Sequence, residues 1–325
     1  SAMNARPPTF SVESAACDFS EDGTRNGHGW AHTQGRRPTM EDEMILGVPI
    51  GDGMHVWGVL DGHGGRESVE RLVKWLPDAL KVQRERDGHL DADNITHAIE
   101  EVDVRLLADA EKEGFDDGST ALLIITKAGS STIQVVQIGD CQAVRCGAFG
   151  AEELCAQHRT DNELELKRLE SVGAQVDDFG RVQGRRQSLS VTRSLGDRDL
   201  KEAHSSLGVS AKAEVTEEPV SPSDELLILG CDGLWDVVGA EDAWELAKRK
   251  GKKDGKWDLA VVASELVKYA YDQNSGDNIS ILVLSLRRPK HLRGAARPAD
   301  KPKLKPTDMS VTVNADGTLR SVQLQ

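Results

Sequence analysis

A carboxylate, an imidazole and three glycines stand together in residues 61–65. Asp61 and His63 flank the first of these glycines, and residues 56–60 just before them have the apolar composition of a buried strand. A strand that ends in such a loop can aim its last side chains at a ligand, while the glycines let other groups approach the backbone. Taken alone, the stretch is more typical of an ordinary glycine-rich turn.

Four further strand-like runs also begin or end at a carboxylate. They are residues 43–46 after Glu41 and Asp42, residues 132–139 before Asp140, residues 225–231 before Asp232, and residues 279–284 after Asp277. Carboxylate oxygens are hard ligands of the kind that Mg²⁺ and Mn²⁺ prefer. The pattern therefore predicts a carboxylate-bridged metal site built from strand ends.

Two divalent cations that share one carboxylate can activate a water molecule for attack on phosphorus. Asp61 is the natural shared ligand, and the carbonyl of Gly62 is open to a cation because no side chain covers it. Asp232 and Asp277 would complete the protein ligands of one metal. The remaining positions would be left to water, as Mg²⁺ prefers.

The other polar residues near these strand ends suit a phosphate ester. Glu41 and Asp42 would bind water molecules or one edge of a cation. Arg37 presents a planar fork that matches phosphate oxygens. His63 titrates near neutrality and could protonate the departing alkoxide.

Each of these residues also has a structural alternative. Asp232 and Asp277 could cap turns or helices, His63 could hydrogen-bond a loop, and Arg37 could pair with Glu41. Outside this set, we expect residues with mainly structural roles: Asp197 in a turn, His158 and Arg159 in a polar loop, and the cysteines beside Asp140 and Asp232 as small buried apolar groups.

The elements that would position these residues follow from hydrophobic periodicity. The pattern predicts helices over residues 66–83, 92–113, 164–173, 240–250 and 257–271, and strands over residues 121–126, 133–138, 225–230 and 279–286. Hairpins and helix pairs alternate, without strict βαβ units. This order favours an α+β fold of antiparallel sheets covered by helices.

Composition restricts the class of protein. The chain has 325 residues, of which 38% are hydrophobic and 29% charged, with a net charge of −14, as expected for a soluble globular protein. The acidic body argues against nucleic-acid binding. No run is long enough for a membrane-spanning helix. Five cysteines without zinc or CxxC spacing indicate reduced thiols, so we expect a cytoplasmic or nuclear protein.

The ends of the chain differ from its centre. We interpret residues 1–26 as a polar arm and residues 27–286 as the main domain. Residues 287–307 are rich in proline and basic side chains, which is typical of a linker. Residues 308–325 have a hairpin pattern around an Asp-Gly turn, and such a hairpin could dock on the body or extend a sheet.

The ordered motifs resemble those of the metal-dependent protein phosphatases, the type 2C serine/threonine phosphatase family, over about residues 27–286. The matching segments are RPTMED (37–42), VLDGHGG (59–65), GST (118–120), IGD (138–140), RVQG (181–184), LSVTRSLGD (189–197), LGCDGLWD (229–236) and SGDN (275–278). Any one of these motifs is weak, but the ordered set is specific.

The resemblance implies a central sandwich of two antiparallel sheets with helices on both outer sides, and a binuclear Mn²⁺ or Mg²⁺ cleft at one edge. It also implies metal ligands, which are Asp61, Gly62, Asp232 and Asp277, with Glu41 and Asp42 acting through water. Arg37 would bind phosphate and His63 would be the general acid. Asp140 matches a position implicated in a third, weaker metal. Residues 178–210 would include a variable flap beside the cleft, called the flap below.

Two segments depart from the family pattern. The chain has QHRT at residues 157–160 where the family often has DHKP, and GDCQ at residues 139–142 where it often has GDSR. Neither change removes an expected metal ligand. We expect a monomeric enzyme that hydrolyses phosphoserine and phosphothreonine in proteins. The alternatives are a catalytically inactive relative that binds partners and a phosphatase of small phosphoesters.

Overall fold

The computed structural model describes residues 12–17, 27–201 and 208–286, together with the backbone of Met309–Val313 and Leu319–Leu324. Contacts divide the chain into two units, Ser1–Arg293 and Gly294–Gln325. The helices are α1 (Glu67–Asp87), α2 (Ala92–Glu113), α3 (Glu163–Ser171), α4 (Asp232–Trp235), α5 (Ala240–Gly251) and α6 (Leu259–Asp272), with a 3₁₀ turn at Arg198–Leu200.

The strands number twenty in the described residues. In chain order they are β1 (Glu13–Cys17), β2 (His28–Thr33), β3 (Glu43–Gly51), β4 (Met54–Leu60), β5 (Gly62–His63), β6 (Gly118–Ser119), β7 (Ala121–Lys127), β8 (Thr132–Ile138), β9 (Gln142–Gly147), β10 (Gly150–Glu153), β11 (Val182–Gln183), β12 (Ser188–Leu189), β13 (Leu195–Gly196), β14 (Glu214–Pro219), β15 (Asp224–Gly230), β16 (Lys252–Lys253), β17 (Lys256–Trp257), β18 (Ile279–Ser285), β19 (Met309–Val313) and β20 (Leu319–Leu324).

Two large sheets form the centre of the first unit. One has six strands in the order β1-β2-β18-β15-β9-β10, and the other has five in the order β14-β8-β7-β4-β3. Every neighbouring pair in both sheets is antiparallel. A third, short sheet joins β5, β6 and β13 beside them. The antiparallel α+β prediction is confirmed.

The apolar runs of the central strands are continuous because both faces of each sheet are covered. In β7, Leu122 and Ile124 belong to the core between the two sheets, whereas Leu123 and Ile125 belong to the core beneath α1 and α2. The six-stranded sheet shows the same alternation in β15. Leu227 and Leu229 belong to the core between the sheets, whereas Leu226 and Ile228 belong to the core beneath α5 and α6. The result is the four-layer sandwich that the sequence predicts.

The helices that cover the sheets begin and end near the predicted positions. Helix α2 has the predicted bounds; it begins where the Asp91 carboxylate accepts a hydrogen bond from the backbone N–H of Asn94. Helix α1 continues to Asp87, four residues beyond its prediction, and ends at Gly88 with a left-handed φ of 77°. Its last turn is held by Arg84, which donates to the Ile50 carbonyl and to Asp52.

The N-terminal arm differs from the prediction. Residues Glu13–Cys17 form an edge strand, β1, paired with β2 along its whole length. The sequence concealed the strand, because the exposed side chains of Glu13, Ser14 and Ala15 lack the apolar alternation of a half-buried strand. Apart from Val12, the rest of residues 1–26 lies outside the described residues, and so does the linker at 287–307.

In the described part of the C-terminal unit, β19 and β20 pair antiparallel, which agrees with the predicted hairpin pattern. Its turn, residues 314–318, lies outside the described residues. Within the part of the chain that the structure describes, no helix combines the length and the apolar character needed to span a membrane.

Candidate metal centre and active site

The strand registers bring the predicted carboxylates to one edge of the sandwich. In the five-stranded sheet the first residue of β3 lies opposite Leu60, and the first residue of β7 lies opposite Ile138. Asp42, Asp61 and Asp140 therefore adjoin the same end of that sheet. In the other sheet Gly230 lies opposite both Gln142 and Ile281, so Asp232 and Asp277 adjoin the same end as well.

Two groups of acidic side chains at this edge are close enough to share a metal ion. One ligand atom from each of Asp61, Asp140 and Asp232 lies within 4.8 Å of the others, and the same holds for Asp42, Asp61 and Cys231. Asp61 is common to both groups, which is the position expected of a bridging ligand. Asp277 belongs to neither group, and it lines the same cavity.

The carboxylates at this edge are crowded and buried, and their pKa values are raised. Burial, followed by the charges of Asp232 and Asp42, raises the pKa of Asp61 well above its usual value. Burial is also the main cause that raises the pKa of Asp42 to about 7 and that of Asp232 to about 8. Oδ2 of Asp42 is buried without a hydrogen-bond partner. Oxygen donors crowded in this way fit hard divalent cations, whose charge would relieve the repulsion.

Glycine at position 62 is required by close packing. A Cβ atom there would collide with the carbonyl oxygen of Glu41. Only glycine therefore allows the backbone at Glu41 to pack directly against β5. Gly233 is constrained in the same way by the carbonyl of Asn278. Both glycines bring the loops that carry Glu41 and Asp277 against the strand ends that carry Asp61 and Asp232.

His63 is oriented by a residue 134 positions away. Its Nε2 lies 2.9 Å from both carboxylate oxygens of Asp197, whose side chain is fully buried. Ser194 donates its hydroxyl hydrogen to the same carboxylate, and the backbone of Asp197 takes a left-handed φ of 53°. Burial alone would lower the pKa of His63, but the charge and hydrogen bond of Asp197 raise it. The Asp197 carboxylate therefore favours the protonated, proton-donating form of the imidazole.

Arg37 pairs with a predicted metal ligand rather than with Glu41, the structural alternative raised by the sequence. Its Nη2 donates to Oδ2 of Asp277 at 2.5 Å, and its side chain remains half exposed. Glu41 instead accepts a hydrogen bond from the Thr39 hydroxyl at 2.8 Å. The preceding Arg36 anchors the loop by stacking on Tyr271, with its guanidinium carbon 4.1 Å from the ring centre.

A cavity of about 390 Å³ joins these residues. Its walls include the predicted site residues Arg37, Glu41, Asp61, Gly62, His63, Asp140, Asp232 and Asp277. Asp42 lies behind this wall with 2% of its surface exposed. The flap also lines the cavity, through Arg181, Leu189, Ser190 and Val191.

Comparisons with known proteins identify the family. A family model described as "Protein phosphatase 2C" matches residues 26–279 of this chain. A rice relative, probable protein phosphatase 2C member 13, mitochondrial (Oryza sativa subsp. japonica), is 34% identical over 268 residues, covering 81% of this chain and 69% of its own. Probable protein phosphatase 2C 25 of Arabidopsis thaliana is 31% identical over 270 residues, covering 81% of this chain and 66% of its own.

The chain belongs to the protein phosphatase 2C family. Solved structures show the same fold. A serine-threonine phosphatase 2C from Toxoplasma gondii superposes with a TM-score of 0.68 at 20% identity, covering 85% of this chain and 99% of its own. A C. elegans sex determining protein gives a TM-score of 0.69 at 24% identity, covering 87% of this chain and 66% of its own.

Arg159, in one of the two segments that depart from the protein phosphatase 2C pattern, lies at the carboxylate cluster. We expected a structural role for it in a polar loop. Its Nε instead donates to Asp140 at 2.7 Å, its Nη1 to Asp236 at 2.9 Å, and its Nη2 approaches Asp232 at 3.4 Å. The guanidinium therefore supplies positive charge on the side of the cluster where Asp140 was expected to hold a third, weaker cation.

Sequence reasoning also missed Asn278 as a positioning residue. Its Nδ2 donates to the carbonyls of Gln34 and Thr39, both at 2.8 Å, and its Oδ1 accepts from the backbone N–H of Glu41 at 2.8 Å. These three bonds hold the loop that carries Arg37. The SGDN motif contained Asn278, but nothing local indicated that its partners lie more than 230 residues away.

Asp197 was expected to be a turn residue, and it is one, but it also binds His63. Its position at the end of the LSVTRSLGD motif was the available signal. His158 has the expected structural role: its buried ring accepts a hydrogen bond from the backbone N–H of Gly139 and contacts Glu214. The cysteines at 141 and 231 are fully buried, as expected, and burial raises their pKa values well above the usual range.

Proposed function

We propose that this chain is a metal-dependent phosphatase of phosphoserine and phosphothreonine in proteins. The observation that carries the proposal is the meeting of a carboxylate cluster, Arg37 and an Asp197-bound His63 around one cavity. Carboxylates alone would suit many metal sites. An arginine fork and a protonated imidazole beside them suit a phosphate ester, which needs its charge neutralised and its leaving group protonated.

Two Mn²⁺ or Mg²⁺ ions, when bound, would polarise a water molecule for attack on phosphorus and neutralise the phosphoryl oxygens. Asp61 would bridge them, Gly62 would contribute its carbonyl, and Asp232 and Asp277 would complete the protein ligands. Glu41 and Asp42 would act through water molecules. Asp140, the position expected to hold a third and weaker cation, would first have to release Arg159.

The side chains of this chain have separable tasks. Arg37 is fixed through one nitrogen by Asp277, and its remaining donors can orient the phosphoryl group. His63 is held through Nε2 by Asp197, so the proton for the leaving serine or threonine oxygen is the one on Nδ1. Arg37 lies on the loop between β2 and β3 and His63 lies in β5, and both residues line the cavity that would hold the substrate.

The inactive-relative alternative requires a missing ligand or a missing acid. Every acidic residue that the family pattern assigns to metal binding is present, and so are Arg37 and His63. The binding partners of the site would be phosphoprotein substrates. We also propose a monomer in the cytoplasm or nucleus; Cys141, Cys146, Cys155 and Cys231 are free thiols, as a reducing compartment permits.

The proposal is tested with a phosphothreonine peptide, assayed in EDTA, Mg²⁺ or Mn²⁺. We expect turnover only with a divalent cation and without a covalent phosphoenzyme. Asp232→Asn should lose both cation binding, measured by calorimetry, and turnover. Arg249→Gln, an exposed substitution on α5, serves as a matched control and should change neither. Cation binding without turnover on any phosphopeptide would favour the inactive-relative alternative.

A further inference from the structure

Arg181 lies in the flap and lines the same cavity as the residues of the metal-binding edge. Its Nε donates to the Ser188 hydroxyl at 2.9 Å and its Nη2 to the Ser188 carbonyl at 2.5 Å, so the side chain spans from β11 to β12. Both bonds are to neutral flap atoms. They leave Nη1 without a partner among the described residues.

Two other arginines, Arg37 at the cavity and Arg159 at the carboxylate cluster, are paired with carboxylates. Arg37 pairs with Asp277, and Arg159 pairs with Asp140, Asp232 and Asp236. The guanidinium of Arg181 contacts no carboxylate in the residues that the structure describes. Its full positive charge, half buried in the cavity wall, is therefore available to an anion that enters from solvent.

The turn that carries Arg181 is rigidly built. Oδ1 of Asp177 accepts from the backbone N–H of Phe179 and of Arg181, both at 2.9 Å. The Thr160 hydroxyl donates to the Gly180 carbonyl at 2.7 Å and ties the turn to the segment that carries Arg159. An arginine fixed at both its backbone and its guanidinium loses little entropy when it binds a ligand.

We propose that Arg181 is a specificity-determining residue that binds a second anionic group of the substrate, a carboxylate or a phosphate on a residue near the scissile phosphoserine or phosphothreonine. This inference rests on the proposed function. The scissile phosphate is assigned to the metal-binding edge, where Arg37 and the carboxylates meet. Arg181, on the flap wall, would contact the neighbouring part of the peptide.

The test uses three series of phosphothreonine peptides of equal length. One series carries a single glutamate at successive positions around the phosphothreonine, the second carries a phosphoserine at the same positions, and the third carries glutamine. We expect kcat/KM to be about five- to tenfold higher for the best anionic position than for glutamine, the size of one partly exposed charge-assisted contact. If kcat/KM rises in both the glutamate and the phosphoserine series, Arg181 accepts either anion. If it rises in the phosphoserine series alone, Arg181 binds a second phosphate.

Charge reversal separates recognition from a structural role. Arg181→Gln should bring the anionic-to-neutral ratio close to one, and Arg181→Glu should favour a lysine peptide at the same position. A loosened flap would slow all peptides but would not invert their order. Arg249→Gln removes the same charge from an exposed site on α5 and should leave the ratio unchanged.

Two results would overturn the inference. The first is an anionic-to-neutral ratio near one in the unmodified protein. The second is an equal loss on all peptides in Arg181→Gln, which would show that Arg181 acts on the flap or the scissile phosphate and not on a second anionic group. Binding of the same peptides is measured in parallel by fluorescence anisotropy. Absence of hydrolysis with any peptide would thus count against the proposed function, while the binding ratio would still decide the role of Arg181.

Discussion

Nε2 of His63 lies 2.9 Å from both carboxylate oxygens of the buried Asp197. This pairing joins β5 to the residue that follows β13, two segments far apart in the sequence. It fixes the orientation of the imidazole and favours its protonated form. In the proposed function, His63 would therefore act as a general acid only together with Asp197, a residue outside the carboxylate cluster.

Asp197→Asn should lower the pKa of His63, because the amide keeps the hydrogen bond but removes the charge that opposes burial. His63 would lose its proton at lower pH, so the alkaline limb of the kcat profile should move to lower pH. We expect a loss of about ten- to a hundredfold in kcat on a phosphothreonine peptide at neutral pH. An aryl phosphate, whose leaving group needs little protonation, should lose much less. Equal losses on both substrates would contradict the general-acid role.

Asp42→Asn should stabilise the metal-free protein while weakening cation binding. The pKa of Asp42 is raised from 3.8 to about 7, chiefly by burial. The folded state therefore binds the proton more tightly than the unfolded state, and stability in EDTA falls as pH rises from about 4 to 7. The asparagine variant should lack this fall and be more stable at pH 7 by on the order of 2 kcal/mol. Chemical unfolding in EDTA at several pH values measures the difference, and Mn²⁺ calorimetry measures the loss of binding.

Arg159→Met should increase the occupancy of a weak cation site at Asp140. The guanidinium now donates to Asp140 and approaches Asp232, so an additional cation must displace it. Without that competition we expect the weakest Mn²⁺ affinity to rise by about tenfold, equivalent to about one charge-assisted hydrogen bond. Equilibrium dialysis or Mn²⁺ paramagnetic resonance gives the stoichiometry directly. Arg159→Lys keeps the charge and should resemble the unmodified protein; an unchanged weak site in Arg159→Met would refute the competition.

Glu165→Gln should destabilise the contact between α3 and the flap. Glu165 is 2% exposed and accepts bonds from Arg193, Arg168 and Thr192. Burial alone would raise its pKa, but these bonds and charges lower it to about 2. The carboxylate therefore stabilises the fold above pH 4.5, and this contribution is lost as pH falls toward 2.

We expect Glu165→Gln to lose about 2 kcal/mol of unfolding free energy at pH 7, measured in urea. The difference from the unmodified protein should shrink as pH is lowered from about 4.5 toward 2. Glu163→Gln, an exposed position in the same helix, is the matched control and should lose little. A deficit that does not change with pH would show that charge at Glu165 is not its cause.

The sequence by itself determined the layers of the fold and the identity of the carboxylates at the strand ends. Continuous apolar runs such as β7 and β15 belong to sheets covered on both faces, and helical periodicity marked α1, α2, α5 and α6 to within a few residues. These signals are local, since the spacing of apolar residues within a strand or helix indicates which of its faces is buried. The edge strand β1 was not predicted, because the exposed side chains of Glu13, Ser14 and Ala15 produce no such spacing.

Only the tertiary structure decided which polar groups meet. Asp197 binds His63 across 134 positions, Arg37 binds Asp277 across 240, and Arg159 reaches Asp140, Asp232 and Asp236 from a loop whose composition suggested only a structural role. A hydrogen bond or ion pair depends on a separation of about 3 Å between single atoms, which no pattern in either segment encodes. The chain specifies these contacts through the packing of two sheets, and they become visible only when both sheets are in place.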